Sequence, residues 1–284
     1  MSIEDKKVAN SDDIPVITIK SQSIFEAIDF KELIQYRDLF FFLVWKNIKV
    51  MYAQTILGFL WAILNPLIQI VIFTVIFGKV AKLDTGGIPY ALFSTVAIVP
   101  WAYMSGAINT SSQSLVSGQS MLGKVYFPRL IFPVTPVLSK LVDFSISVLL
   151  IIAVLIYYGV KPTINFIFLP LFIIIMVAVP TGFGLWLSSM AIRYRDVNFA
   201  MPFLLNMLIY SAPILYSADK IPEAYRFLYS LNPIVSVIEG YRSCLLGTPM
   251  QWGYIIPGAI MAVLIVTSGA IYFRRMERVI VDVI

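Results

Sequence analysis

The stretch GFLWAILNPLIQIVIFTVIFG, residues 58–78, runs for 21 positions without a charged side chain. A helix needs about 20 mostly apolar residues to cross the hydrocarbon layer of a membrane, so this stretch alone sets the class of the protein. Segments of the same kind follow near 90–112, 130–158, 163–191, 199–217 and 253–273. The expected fold is all-α: a polytopic membrane protein with about six transmembrane helices. Pro66, Pro100, Pro133, Pro136, Pro180 and Pro213 fall inside these segments and mark expected kinks, tolerated where neighbouring helices satisfy the freed carbonyls.

Composition agrees. The chain is 59% hydrophobic and only 13% charged, against about 45–50% and 25% for ordinary globular chains, so water is not its main solvent. With no histidine and one cysteine, Cys244, the inventory excludes a disulfide framework, a Cys/His zinc site and a histidine-based triad. The net charge of +5 does not point to nucleic acid, because the basic residues lie between the apolar runs instead of forming one stripe. Arg37, Lys46, Lys49, Lys124, Arg129, Arg193, Arg195, Arg274, Arg275 and Arg278 collect on one side of the spans. Lys79, Lys82, Lys161, Lys220, Arg226 and Arg242 fall on the other. The richer side is expected to be cytoplasmic, with both termini there.

Four pieces lie outside the spans. Residues 1–35 form a polar N-terminal arm with no apolar core long enough for a secretory signal, and residues 274–284 form a C-terminal tail. The arm includes IPVITIK, 14–20, a candidate short extended segment to which no chemistry is assigned. Residues 36–55 are too charged to cross a bilayer and too apolar for water. They suit an interfacial amphipathic helix with Trp45 and Tyr52 at headgroup level, the alternative being a simple extension of the first span. The membrane-spanning domain proper is expected over 56–273. Within it, residues 221–247, broken by Asn232-Pro233 and closed by Gly247, read as re-entrant helices or as a plain outer cap, with Glu239 and Arg242 spaced to pair on one helix face.

GQSMLGKVYFPR, residues 118–129, begins like a phosphate-binding loop, but Val125 follows the lysine where a Ser or Thr would reach magnesium, and no strand precedes it. Span interiors hold almost no charge, apart from Lys140 and Asp143, which counts against an ion-coupled secondary transporter; a membrane-bound glycan enzyme would need intramembrane acids or a nucleophile that are not there.

Five blocks in order carry a resemblance: YRDLFFFLVWKNIKVMYAQTILGFLWAILNPL from residue 36, KVYFPRLIFPV at 124–134, MAIRYRDVNF at 190–199, LNPIVSVIEGYR at 231–242 and the closing FRRMERVIVDVI. Together they resemble the permease subunit of ATP-binding-cassette polysaccharide exporters, most closely those that export the O-antigen of lipopolysaccharide; capsule and teichoic-acid exporter permeases share the architecture. The resemblance implies a homodimer in the bacterial inner membrane paired with two copies of a separate ATPase, which binds ATP and magnesium while this chain binds no cofactor. It also implies a cytoplasmic coupling helix around 119–126, presenting Gln119, Ser120, Met121, Leu122, Lys124 and Tyr126 to the ATPase, and a lipid-linked polysaccharide as cargo. A sliding polymer suits aromatic faces, and Trp61, Phe73, Trp101, Tyr103, Tyr210 and Tyr216 are the candidates for the glycan channel. Arg193 and Arg195 are the candidates for the lipid phosphate, since guanidinium groups bind phosphate bidentately; Asp196 beside them pairs with Arg195 or caps the following span in the alternative.

Overall fold

The computed structural model describes residues 35–53, 55–122 and 127–283, without the side chains of Leu122 and of residues 278–283. The N-terminal arm, including IPVITIK, Lys124, Tyr126 and the Arg278 side chain therefore lie outside the described residues. Among those described, every regular element is helical. In chain order they are α1 (Arg37–Tyr52), α2 (Trp61–Phe73, continued by a π-helical turn, Thr74–Val80), α3 (Tyr90–Ser112), α4 (Ser114–Ser117), α5 (Gln119–Leu122), α6 (Ile131–Tyr157), α7 (Leu169–Arg193), α8 (Asp196–Ser211), α9 (Glu223–Ser230), α10 (Pro233–Leu246) and α11 (Trp252–Val283).

Five helical segments are long and apolar enough to cross a membrane: Gly58–Val80, Tyr90–Ser112, Ile131–Tyr157, Ile164–Arg193 and Trp252–Glu277. They differ in what covers them. Of its most apolar stretch, α3 has 78% of residues buried in protein, whereas α2 has 11%, which makes α3 the centre of the bundle and α2 a peripheral wall. Small residues allow this central position: Ala97, Ala107, Ser111 and Ser112 are all fully buried, so neighbouring backbones can approach. The two serine hydroxyls do not go unsatisfied, because Ser111 donates to the Pro133 carbonyl at 2.5 Å and Ser112 to that of Asn109 at 2.8 Å.

The fifth expected span is corrected. Instead of one helix over 199–217, the chain forms α8, whose 16 residues span about 24 Å, short of the roughly 30 Å hydrocarbon layer. Non-helical chain continues from Ala212 to Ser217, and Ala212, Ile214 and Leu215 in it are buried. Irregular backbone at this depth is stable only when protein supplies its hydrogen bonds. Arg242 of α10 supplies two, to the Ile214 carbonyl at 3.2 Å and the Tyr216 carbonyl at 3.5 Å. The Tyr90 hydroxyl donates to Leu215 at 3.0 Å and the Tyr254 hydroxyl to Ala218 at 3.2 Å. The broken span still delivers the chain to the far end of the bundle, where Lys220 meets Asp84 of the loop between α2 and α3 at 2.7 Å.

The pairing expected for Glu239 and Arg242 is present, at 2.9 Å, but Arg242 does not sit at the outer surface: it is 2% exposed, with the Phe93 ring 3.6 Å below its guanidinium carbon. It lies in α10, which local sequence delimits at both ends. The Asn232 side chain accepts the Ile234 N–H at 3.1 Å, Pro233 occupies the first turn, and Gly247 ends the helix at φ +71°, a conformation that costs a glycine little. Of its residues, Pro233 through Leu245 are buried, as irregular or non-crossing segments at membrane depth must be.

Pro66, Pro100, Pro136 and Pro180 lie inside helices as expected. Pro133 instead sits in the first turn of α6, where its missing N–H is of no consequence, and Pro213 lies in the non-helical stretch after α8. Helix α1 is separate from the first span, since Ala53 is extended at φ −60°, ψ 136°. Trp45 is exposed, but Tyr52 is not free at a surface: its hydroxyl hydrogen-bonds the Asp143 carboxylate and its ring lies 4.0 Å from that of Phe59.

The Asp84–Lys220 pair gives one test of the loop packing. The Lys220 hydrogen bond, reinforced by the Gly86 N–H, holds the Asp84 carboxyl below its ordinary value. A lowered folded value means that the contribution is present above the unfolded pKa of about 3.9 and is lost as pH falls through the folded value. Proteolytic nicking of the 81–89 loop is therefore expected to stay constant from about pH 5 to 8 and to rise only in stronger acid. Asp84→Asn should remove the protection throughout that range, and equal nicking of the two proteins at neutral pH would show that the pair holds nothing.

Candidate functional site

The first span carries Trp61, Asn65, Gln69 and Phe73, each four residues after the last, which places all four on one face of α2. That face meets similar stripes on three neighbours: Ala102, Ser105, Gly106 and Asn109 on α3, Lys140, Asp143, Phe144 and Ser147 on α6, and Leu205, Asn206, Ile209 and Tyr210 on α8. Together they enclose a groove of about 680 Å³. It opens sideways between α2 and α8, because Trp61, Asn65, Asn206 and Tyr210 at its rim are exposed.

Five of the six aromatic residues selected from the sequence, Trp61, Phe73, Trp101, Tyr103 and Tyr210, line this groove. They do not contribute equally. Trp101 and Tyr103 are 4% and 3% exposed and form its floor, with the Tyr103 hydroxyl committed to the Val137 carbonyl at 3.2 Å and its ring packed on Phe144. Tyr216 lies elsewhere, in the stitched break after α8, where its hydroxyl donates to the Tyr210 carbonyl at 3.1 Å.

The polar lining was missed by a search for aromatics. Asn65, Gln69, Asn109 and Asn206 project carboxamides into a layer that is otherwise hydrocarbon, and their position within spans was the available signal. Lys140 and Asp143 pair at 2.8 Å, three residues apart on α6. The groove thus offers aromatic faces beside groups that both donate and accept hydrogen bonds, a combination suited to a hydroxyl-bearing ring with apolar C–H faces.

At the basic end, α1, α4, α6, α7 and α11 converge on a second core of Leu43, Leu115, Phe127, Ile131, Leu185, Ala270 and Phe273. Met121 packs against this core, so of the expected coupling residues it faces its own protein; Gln119 is half-buried and Ser120 exposed. The resemblance of 118–124 to a phosphate loop ends here. The segment follows a long helix, with no strand before it, and a side chain at Gly118 would collide with the Phe132 ring, which gives the glycine a packing reason. Arg193 and Arg195 are exposed at the turn between α7 and α8, where no ion pair to Asp196 forms; Asp196 opens the first turn of α8, favourable to the helix dipole. Among the described residues no group of three or more potential metal ligands comes together.

These features define a polytopic membrane protein with a polar, aromatic-lined groove between its spans. Residues 38–246 match the ABC-2 type transporter family, and the chain belongs to that family. Among curated proteins it is 27% identical over 241 residues to the O-antigen export system permease protein RfbA of Klebsiella pneumoniae, covering 84% of this chain and 92% of that one. It is 26% identical over 251 residues to the protein of the same name in Myxococcus xanthus, covering 87% and 96%. The polysialic acid transport protein KpsM of Escherichia coli is 24% identical over 218 residues, covering 75% and 81%.

Proposed function

We propose that this chain is the membrane-spanning subunit of an ATP-driven exporter and that its cargo is a lipid-linked polysaccharide, O-antigen in the leading reading. The observation that carries this reading is the groove: aromatic rings and carboxamides at bilayer depth, in a member of a transporter family, open to the side where a long polymer can enter without being enclosed. A capsular glycan is the second reading, favoured by the likeness to the polysialic acid transport protein.

In the proposed assembly two copies of this chain sit in the inner membrane with both termini in the cytoplasm, the basic end inward, and each pairs with an ABC ATPase that binds ATP and magnesium. The partner docks near residues 119–126, and the exposed Arg193 and Arg195 receive the phosphate of the lipid carrier. An ATPase subunit is expected to co-purify with the chain, and a preparation that exports glycan in vesicles without one would overturn the proposal. Arg193→Ala with Arg195→Ala should lower surface glycan about tenfold, the loss of one or two charge-assisted hydrogen bonds, while the ATPase still co-purifies. Undiminished surface glycan would remove the arginines from the mechanism.

A further inference from the structure

We infer that the groove admits uncharged glycans and discriminates against acidic ones, an inference that rests on reading the groove as the glycan path. Of the side chains lining it, two carry charge at neutral pH, Lys140 and Asp143, and they neutralise each other at 2.8 Å. Each also has a second partner. The Tyr52 hydroxyl bonds the second oxygen of Asp143, and the Lys140 ammonium lies 3.4 Å from the Met51 sulfur. The pair therefore has no charge left over for a ligand.

The other polar lining groups are four carboxamides, Asn65, Gln69, Asn109 and Asn206, the hydroxyls of Ser105, Ser147, Tyr103 and Tyr210, and the indole N–H groups of Trp61 and Trp101, none of them charged at neutral pH. A carboxamide gives a donor and an acceptor, which matches sugar hydroxyls acting in either role. A sugar carrying a carboxylate would meet no cation there that is not already paired with a carboxylate. It would leave water for a partly apolar groove within the bilayer layer and stay unpaired, a transfer that costs far more than that of a hydroxyl. A second copy of the chain facing the first would present the same residues and add no net charge. The exposed arginines at the basic end lie outside this lining, so they address a terminal phosphate group and not the repeating sugars.

The test uses the full-length chain in lipid nanodiscs. Cys244 is fully buried, so Met207→Cys, at an exposed position on the groove wall, introduces a reactive thiol against a silent background. Maltoheptaose, uncharged, is expected to slow maleimide labelling of that thiol about threefold, while an oligogalacturonate of equal length at the same concentration leaves the rate unchanged. Adding Asn206→Arg, at an exposed rim position that carries little folding risk, should make the oligogalacturonate protective, slowing labelling about threefold where it had no effect before. Equal protection by both sugars in the parent protein, or no gain from the added arginine, would overturn the charge selection while leaving the path intact. Protection by neither sugar would overturn the path reading itself, and the selection with it.

Discussion

Arg242→Met is expected to cost the protein about 3–5 kcal/mol, the range found when one member of a buried ion pair is removed. The side chain does three things at once. It neutralises Glu239, it donates to two carbonyls of the non-helical chain after α8, and it lies on the Phe93 ring. Its removal leaves Glu239, 4% exposed, either to hold an unpaired charge in the interior or to take up a proton, and it leaves the Ile214 and Tyr216 carbonyls without their donor. The measurement is the thermal midpoint of the monodisperse species in detergent. Glu239→Gln combined with Arg242→Met should recover part of the loss, since the lone charge is then gone and only the carbonyls remain unpaired. A single variant as stable as the parent would mean that the break in the fifth span is held by something other than Arg242.

Gly182→Leu should be comparably damaging for a different reason. Gly182 of α7 and Gly269 of α11 face each other at the closest approach of the two helices. A Cβ added at Gly182 would fall 2.8 Å from the Ile265 carbonyl carbon and the Val266 nitrogen, and one at Gly269 would fall 2.7 Å from the Gly182 oxygen. These are backbone atoms, which cannot rotate aside as a side chain could. Overpacking in cores costs about 1–3 kcal/mol and more where nothing can yield, so the yield of folded protein should fall on the order of tenfold to a hundredfold. Gly253→Ala, also on α11 but with nothing within 4 Å of the new carbon, is the control and should be silent. If both variants express and fold alike, the two helices are not held by this contact.

The sequence made the spans legible because lipid imposes a length and a polarity on every crossing segment, and that constraint needs no tertiary information. The pairing of Glu239 with Arg242 was legible for a similar reason, being a matter of spacing on one helix. Where Arg242 reaches was not: its carbonyl partners lie 26 and 28 residues earlier, and that distance is bridged only by the fold. Counting apolar residues from 199 to 217 likewise gave one helix, since hydropathy measures transfer into lipid and is blind to a backbone that leaves the helix under cover of protein. In the groove, residue type alone found the aromatics. The Trp61-Asn65-Gln69-Phe73 stripe shows that spacing by four would have found the amides too, had polar residues inside spans been sought as a face.

Helix α1 hangs from α6 by three contacts along its length: the Val44 carbonyl with the Ser139 hydroxyl at 3.3 Å, Met51 with Lys140, and Tyr52 with Asp143. The extended residue Ala53 and the bends after it disconnect it from α2. A push delivered to α1 from the water phase would consequently reach α6 and the groove lining first, and the peripheral wall only through the Tyr52–Phe59 ring contact. The last two contacts end on the salt-linked pair that sits midway along α6, so any displacement of this forward helix would bear, like a tiller on its blade, on the Lys140–Asp143 couple.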